Sequence, residues 1–163
     1  ELLAPTYGEA VEKVFAELAK QRPFFNFREG KLGPQYLRRS DRTLAAWKRL
    51  AEAQGNAAIL LVPAQFGLRH RGKSVQKVRA SFADNEFGLG AYEIGIMLLT
   101  HPERFRSSDD LWIDAPGDEY SWGADGDFSR APLFDFGSRV EFFALWYDRA
   151  SGHYGSASAF LPR

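Results

Sequence analysis

The most chemically suggestive stretch of the sequence is a run of basic residues, 65–79, that contains no acidic residue. Lysine and arginine neutralise phosphate groups, and the free N–H groups at a helix start attract anions. The stretch therefore predicts a non-catalytic surface that contacts an anionic partner, and nucleic acid is the partner we expect. The residues expected to form this surface are Arg69, His70, Arg71, Lys73, Ser74, Lys77 and Arg79, supported by Arg38, Arg39 and Arg42.

Part of the same stretch, 67-GLRHRGKS-74, fits the pattern G-x-x-x-x-G-K-S between an apolar run and a predicted helix. In pattern these eight residues resemble the phosphate-binding loop of ATPases and GTPases. The resemblance implies that Lys73 and backbone N–H groups would hold phosphates and that Ser74 would ligate Mg²⁺. Its variable positions, 68–71, carry bulky side chains where such loops usually have small ones. Despite this difference, the match of the pattern makes nucleotide binding or hydrolysis the alternative prediction.

Charge is distributed unevenly along the chain although the formal net charge is zero. Residues 1–83 hold 15 Lys and Arg against 7 Asp and Glu, whereas residues 84–163 hold 6 against 14. The halves therefore carry +8 and −8. Such asymmetry is typical of an anion-binding face, of an interface between protein chains, or of two halves that pack together. A protein-interaction module with complementary halves is a third hypothesis.

Two other groups of residues could carry chemistry. The acidic loop 114–127 begins like a calcium-binding loop near Asp125, but Arg130 and Phe136 stand where Gly and a bidentate Glu belong. His70 and Glu86, with Arg69 or Arg71 nearby, could act as an acid–base pair in a metal-free nuclease. Sequence spacing alone does not place them together, and we predict no metal site and no cofactor.

Composition restricts the class of protein. The hydrophobic fraction is 45% and the charged fraction 26%, which is typical of a globular domain. Absence of cysteine excludes disulfides, thiolate metal sites and cysteine nucleophiles. The longest apolar run, 94–99, is too short to cross a bilayer, and we see no export signal. We therefore expect a single domain over residues 1–163 that is cytoplasmic and has no membrane partner.

Hydrophobic periodicity and capping signals predict an α+β fold. Helices are expected over 7–22 and 41–54, from Ser74, from about Ala91, and as a short turn through 100–106. The apolar run 57–64 predicts a buried strand. Alternation in the aromatic C-terminal third predicts four further strands, the last two forming a hairpin. These strands span 111–115, 131–136, 139–148 and 153–162. Helices thus lie mainly in residues 1–106, and a C-terminal antiparallel β-meander completes the sheet.

Overall fold

Three of the helices begin at capping residues that the sequence identifies. The computed structural model describes residues 4–162. At the first helix, Thr6 Oγ1 accepts a hydrogen bond from Glu9 N, and the Glu9 carboxylate accepts one from Thr6 N. Ser40 and Ser74 cap two later helices, and their hydroxyl oxygens accept hydrogen bonds from Thr43 N and Lys77 N. The α-helices are α1 (Tyr7–Gln21), α2 (Asp41–Ala53), α3 (Val75–Ser81) and α4 (Ala91–Thr100).

The strands are short and divide between two sheets. In chain order they are β1 (Phe24–Asn26), β2 (Leu37–Arg39), β3 (Ala64–Gln65), β4 (Glu86–Gly88), β5 (Trp112–Asp114), β6 (Asp118–Tyr120), β7 (Arg130–Phe136), β8 (Val140–Trp146), β9 (Tyr154–Ser156) and β10 (Ser158–Phe160). The larger sheet has the order β1-β8-β7-β5-β9, and β6 joins β2 to β7. The smaller sheet has the order β3-β10-β4. The α+β prediction is confirmed.

The pairing of the C-terminal strands differs in part from the prediction. β7 and β8 form an antiparallel hairpin, and β8 lies inside the sheet between β1 and β7. The hairpin predicted from residues 139–148 and 153–162 is wrong, because β9 pairs in parallel with β5 instead of with β8. Residues 153–162 form two strands, the second of which pairs with β3 and β4 in the smaller sheet.

Two local predictions are also wrong. The apolar run 57–64 does not form a buried strand, because only its last residue belongs to β3 and residues 57–59 and 61 are exposed. Thr100 is the last residue of α4, and residues 102–106 form turns and bends instead of another turn of helix. Leu61 exchanges hydrogen bonds with the side chain of Gln54 instead of with a strand. The N–H groups of Arg106 and Ser107 donate to Asp110 instead of continuing a helix.

A buried core joins α1 to α4 and to one face of the larger sheet. The ring of Phe15 on α1 lies 4.6 Å from Phe142 and 5.8 Å from Phe134. Gly95 lets α4 approach α1, because a Cβ at this position would lie 2.5 Å from the Val14 side chain. Within residues 4–162, no helix is long and apolar enough to cross a membrane.

Candidate functional site

The loop that resembles a phosphate-binding loop uses its backbone donors inside the protein. Gly67 N donates to Gln65 Oε1 at 2.6 Å, and Gly72 N donates to the carbonyl of Tyr154 at 2.9 Å. The N–H groups of residues 69, 70, 71 and 73 also donate to nearby protein oxygens. Ser74 is buried, and its Oγ accepts a hydrogen bond from Lys77 N at the start of α3. Residues 67–74 are thus folded as a connector, and most of their N–H groups are unavailable to a phosphate.

Gly67 fixes the start of this connector against the larger sheet. Gly67 has a φ of +114°, and its Cα packs directly against the backbone of Gly155 on β9. A side chain at either position would collide with the backbone of the other. The connector is therefore held tightly against the edge of the larger sheet.

Most of the predicted basic residues have protein partners. Three of the guanidinium groups bind backbone oxygens: Arg71 Nε donates to Gly152 O at 2.8 Å, Arg79 Nε to Pro116 O at 3.0 Å, and Arg42 to the carbonyls of residues 83 and 86. Three pair with carboxylates of the acidic half, namely Arg38 with Glu119, Arg39 with Glu93 and Arg69 with Glu86. Lys73 and Lys77 are exposed on the connector and α3.

Glu86 and His70, which are distant in sequence, form the centre of a buried polar cluster. His70 Nε2 lies 2.7 Å from Glu86 Oε1, and Ser158 Oγ donates to the same oxygen at 2.7 Å. Gln65 Nε2 donates to Ser158 Oγ at 2.8 Å, and Arg69 Nε lies 3.2 Å from Glu86 Oε1. We call these five residues the Glu86 cluster. It ties the connector to β4 and β10 of the smaller sheet.

The hydrogen bonds of the Glu86 cluster keep its carboxylate charged. Burial favours the neutral carboxyl, but the hydrogen bonds from Ser158 and His70 outweigh burial and lower the pKa of Glu86. The side chain of Glu86 is 0% exposed and that of His70 is 4% exposed. A substrate therefore cannot reach this pair without opening the structure, and its clearest role is to position the connector.

Two exposed arginines converge on the surface above the Glu86 cluster. Arg42 from α2 binds the backbone carbonyl of Glu86, while Arg69 binds its carboxylate. The guanidinium of Arg42 lies 5.4 Å from the ring centre of Phe82, and that of Arg69 lies 5.6 Å from that of Phe160. We call these four residues the arginine–phenylalanine face. It combines positive charge with aromatic surface, although its arginines are separated in sequence.

A second buried polar cluster lies between α1, α4 and β6. Tyr7 Oη lies 2.9 and 2.8 Å from the two carboxylate oxygens of Asp118, which also accepts a hydrogen bond from Ala91 N at 2.7 Å. Arg39 pairs with Glu93, and its guanidinium lies 4.4 Å from the centre of the Tyr7 ring. We call Tyr7, Arg39, Glu93 and Asp118 the Asp118 cluster.

The pKa values in the Asp118 cluster shift in the opposite direction to that of Glu86. Burial, reinforced by the nearby charge of Glu93, raises the pKa of Asp118 to about 7. Burial also raises the pKa of Tyr7 well above its usual value, and the charge of Asp118 adds to this effect. A group whose pKa lies near neutrality in a buried cluster is often found beside a functional site.

An apolar cleft of about 720 Å³ lies directly beside the Asp118 cluster, and we call it the α2–α4 cleft. Its apolar walls include Trp47 of α2, Ile59 of the connecting segment, and Ile96 of α4. Arg39 and Glu93 form part of its polar lining, together with Lys48. Among the cleft residues, the sequence prediction had singled out Arg39 alone. The signal that could have revealed the wall at Ile59 is the short apolar run between Gly55-Asn56 and Pro63.

The carboxylates of the acidic loop bind neighbouring protein groups. Asp118 caps α4 and binds Tyr7, whereas Asp125 Oδ1 accepts hydrogen bonds from Ser121 Oγ at 3.0 Å and Asp127 N at 3.1 Å. Asp114 is buried in β5, and burial raises its pKa to about 7. Across residues 4–162, no group of three or more His, Asp or Glu side chains is arranged to hold a metal ion.

Comparisons of the chain with protein-family models, with curated proteins and with solved structures find no match.

Proposed function

We propose that the protein is a non-catalytic module that binds an anionic polymer, most readily single-stranded nucleic acid. The observation that carries the proposal is the arginine–phenylalanine face, where Arg42 and Arg69 converge from distant parts of the chain. Bases stack on aromatic rings and on guanidinium planes, and these contacts tolerate many sequences. The rings of Phe82 and Phe160 are partly exposed, and with the exposed arginines they support stacking more directly than recognition of an isolated phosphate.

Lys73 and Lys77 would supply the contacts to the phosphate backbone. Both side chains are exposed, and Lys77 lies on α3, which is followed directly by Phe82 of the arginine–phenylalanine face. Arg71 is exposed as well, although it also binds the carbonyl of Gly152. In this proposal, His70, Ser74 and Arg79 support the surface from within, because they are buried or partly buried. Arg39 belongs instead to the Asp118 cluster.

The two alternatives have less support. For nucleotide hydrolysis, the internal hydrogen bonds of residues 67–74 leave little of the phosphate cradle that such a loop requires. For association through opposite charges, Arg38–Glu119, Arg39–Glu93 and Arg69–Glu86 pair the basic and acidic halves within one chain. A cytoplasmic location stays a prediction from the sequence.

A titration of labelled oligonucleotides against salt tests the proposal. Fluorescence anisotropy with single-stranded oligothymidylate and oligouridylate should show affinity that falls steeply between about 50 and 200 mM salt. The double variant Lys73→Gln/Lys77→Gln should bind more weakly, and the slope of log K against log salt should decrease by about 1.4, or about 0.7 per phosphate contact. Both lysines are exposed, so the variant should fold normally.

The matched control is Lys20→Gln/Lys31→Gln, which removes the same charge from α1 and from the loop before β2. Its affinity should change less than that of the first variant. The proposal fails if no oligonucleotide binds at about 50 mM salt, if binding does not depend on salt, or if the control loses as much affinity.

A further inference from the structure

The α2–α4 cleft has the size and lining of a small-molecule site. Its volume of about 720 Å³ lies within the range of roughly 300–1,000 Å³ that is usual for ligand pockets. Trp47, Ile96 and Met97 give it an apolar interior. Ile59 stands at its edge with 79% of its surface exposed. Large apolar side chains that stay uncovered beside a cleft are typical of binding sites.

The exposed wall of the cleft is held in place by specific hydrogen bonds. The side-chain amide of Gln54 donates to the carbonyl of Leu61 at 2.6 Å and accepts from the N–H of Leu61 at 2.9 Å. Gly55 and Asn56 turn the chain with positive φ values of 66° and 55°. The segment that carries Ile59 is therefore fixed beside α2 as a wall.

The polar lining of the cleft favours an acidic ligand. Its charged side chains are Arg39, Lys48 and Glu93, so two positive charges face one negative charge. Arg39 and Glu93 already pair with each other, which leaves the exposed Lys48 to set the net charge. Trp47 Nε1 and Arg39 Nε are buried donors without an acceptor among the described residues. The excess positive charge of Lys48 thus favours an acidic group on the ligand.

We propose that the α2–α4 cleft binds a small amphipathic carboxylic acid. The apolar body of the ligand lies between Ile59 and the α4 residues Ile96 and Met97, and its carboxylate lies beside Lys48 and Arg39. The Asp118 cluster supports Arg39 from the protein side, through Tyr7 and Glu93. This site is distinct from the arginine–phenylalanine face, and the proposal does not depend on nucleic-acid binding.

Displacement of a fluorescent probe separates the ligand classes. The apolar sulfonate 8-anilinonaphthalene-1-sulfonate is bound first and then displaced by decanoate, 1-decanol or decylammonium, which share a chain length and differ in charge. Decanoate should bind most tightly and decylammonium most weakly. Lys48→Gln should weaken decanoate about tenfold, which corresponds to about 1.4 kcal/mol, and leave 1-decanol unchanged. The control Arg49→Gln removes a neighbouring exposed charge that is not part of the cleft lining, and it should change neither ligand.

A second pair of variants tests where the apolar chain lies. Ile59 and Leu61 are 79% and 78% exposed, but of the two only Ile59 lines the cleft. Ile59→Ser should weaken both decanoate and 1-decanol about fivefold, because it removes apolar contact area. Leu61→Ser should leave both unchanged.

Three outcomes would overturn the proposal. The first is no displacement by decanoate up to about 5 mM, a concentration at which even a weak millimolar site would be occupied. The second is equal effects of Ile59→Ser and Leu61→Ser. The third is sedimentation of the wild-type protein as a dimer that Ile59→Ser converts to a monomer, which would identify a second copy of the chain as the occupant. Oligonucleotide binding should be unchanged in Lys48→Gln, so failure of this proposal is distinguishable from failure of the other.

Discussion

The connector at residues 67–74 and the segment at residues 57–62 contrast with each other. The connector is rich in charge, yet its polar groups are largely satisfied by the protein, through the Glu86 cluster and the carbonyls of Tyr154 and Gly152. The segment before it is apolar, yet Ile59 and Leu61 lie uncovered at the surface. Charge in a sequence therefore does not by itself identify a free binding surface, and an apolar run does not by itself identify a core.

Two buried carboxylates near these regions, Glu86 and Asp118, have pKa values that shift in opposite directions. Glu86 receives hydrogen bonds from His70 and Ser158, which hold its pKa below the usual value. Asp118 lies next to the acidic Glu93, and its burial raises the pKa to about 7. The first carboxylate stabilises the fold as an anion, whereas the second favours its protonated form. Removal of the hydrogen-bond partners of Glu86 should therefore affect stability differently from removal of the neighbours of Asp118.

The largest effect that we expect comes from Glu86→Ala. The substitution leaves His70, Ser158 and Arg69 without their shared acceptor, so the free energy of unfolding should fall by about 3 kcal/mol. Urea denaturation followed by circular dichroism measures this change. Lys73→Ala, on the exposed side of the same region, should change the free energy of unfolding by less than about 0.5 kcal/mol. Equal losses in the two variants would show that the Glu86 cluster does not hold the connector.

An effect that is smaller per pH unit, and is spread over several pH units, should come from Asp118. Between about pH 4 and 7 the folded protein keeps a proton on Asp118 that the unfolded chain releases. The contribution of this group to stability is therefore present at low pH and is lost as the pH rises towards 7. The slope from one such group is at most about 1.4 kcal/mol per pH unit.

Asp118→Asn removes the titrating group and tests this assignment. Denaturation between pH 4.5 and 7.5 should give a shallower fall in stability for the variant than for the wild type. The pKa of Asp114 is also raised to about 7, so part of the fall in stability with rising pH should remain in Asp118→Asn. An unchanged profile in the variant would mean that Asp118 does not titrate in this range. The contribution of Glu86 to stability depends on pH in the opposite sense, because it is lost only as the pH falls below the usual pKa range of a glutamate.

The smallest effect should be that of Ile59→Ser on stability. Its side chain is largely exposed, so the melting temperature should change little and the free energy of unfolding by less than about 0.5 kcal/mol. Leu61→Ser is the matched variant and should behave alike. Calorimetry measures both. A large loss in Ile59→Ser alone would assign this residue to the core and remove the contrast between the two segments.

Local elements were largely predictable, whereas their partners were not. The capping hydrogen bonds at Thr6, Ser40 and Ser74 join residues three positions apart, so a single sequence reveals them. The parallel pairing of β9 with β5 joins Tyr154 to Trp112, which no local signal encodes. In the candidate sites, the basic residues were visible, but the convergence of Arg42 and Arg69 on Glu86 was not.

The sequence by itself determined the four α-helices of the described residues, the α+β class and the separation of charge into two halves. Hydrogen bonds and apolar spacing within a helix repeat over three or four residues, and such patterns need no knowledge of the rest of the chain. The tertiary structure decided which charges pair across the halves and which apolar residues stay uncovered. Arg39 pairs with Glu93, and Ile59 lines a cleft, because strands and helices distant in sequence pack beside them. Such contacts depend on the whole fold.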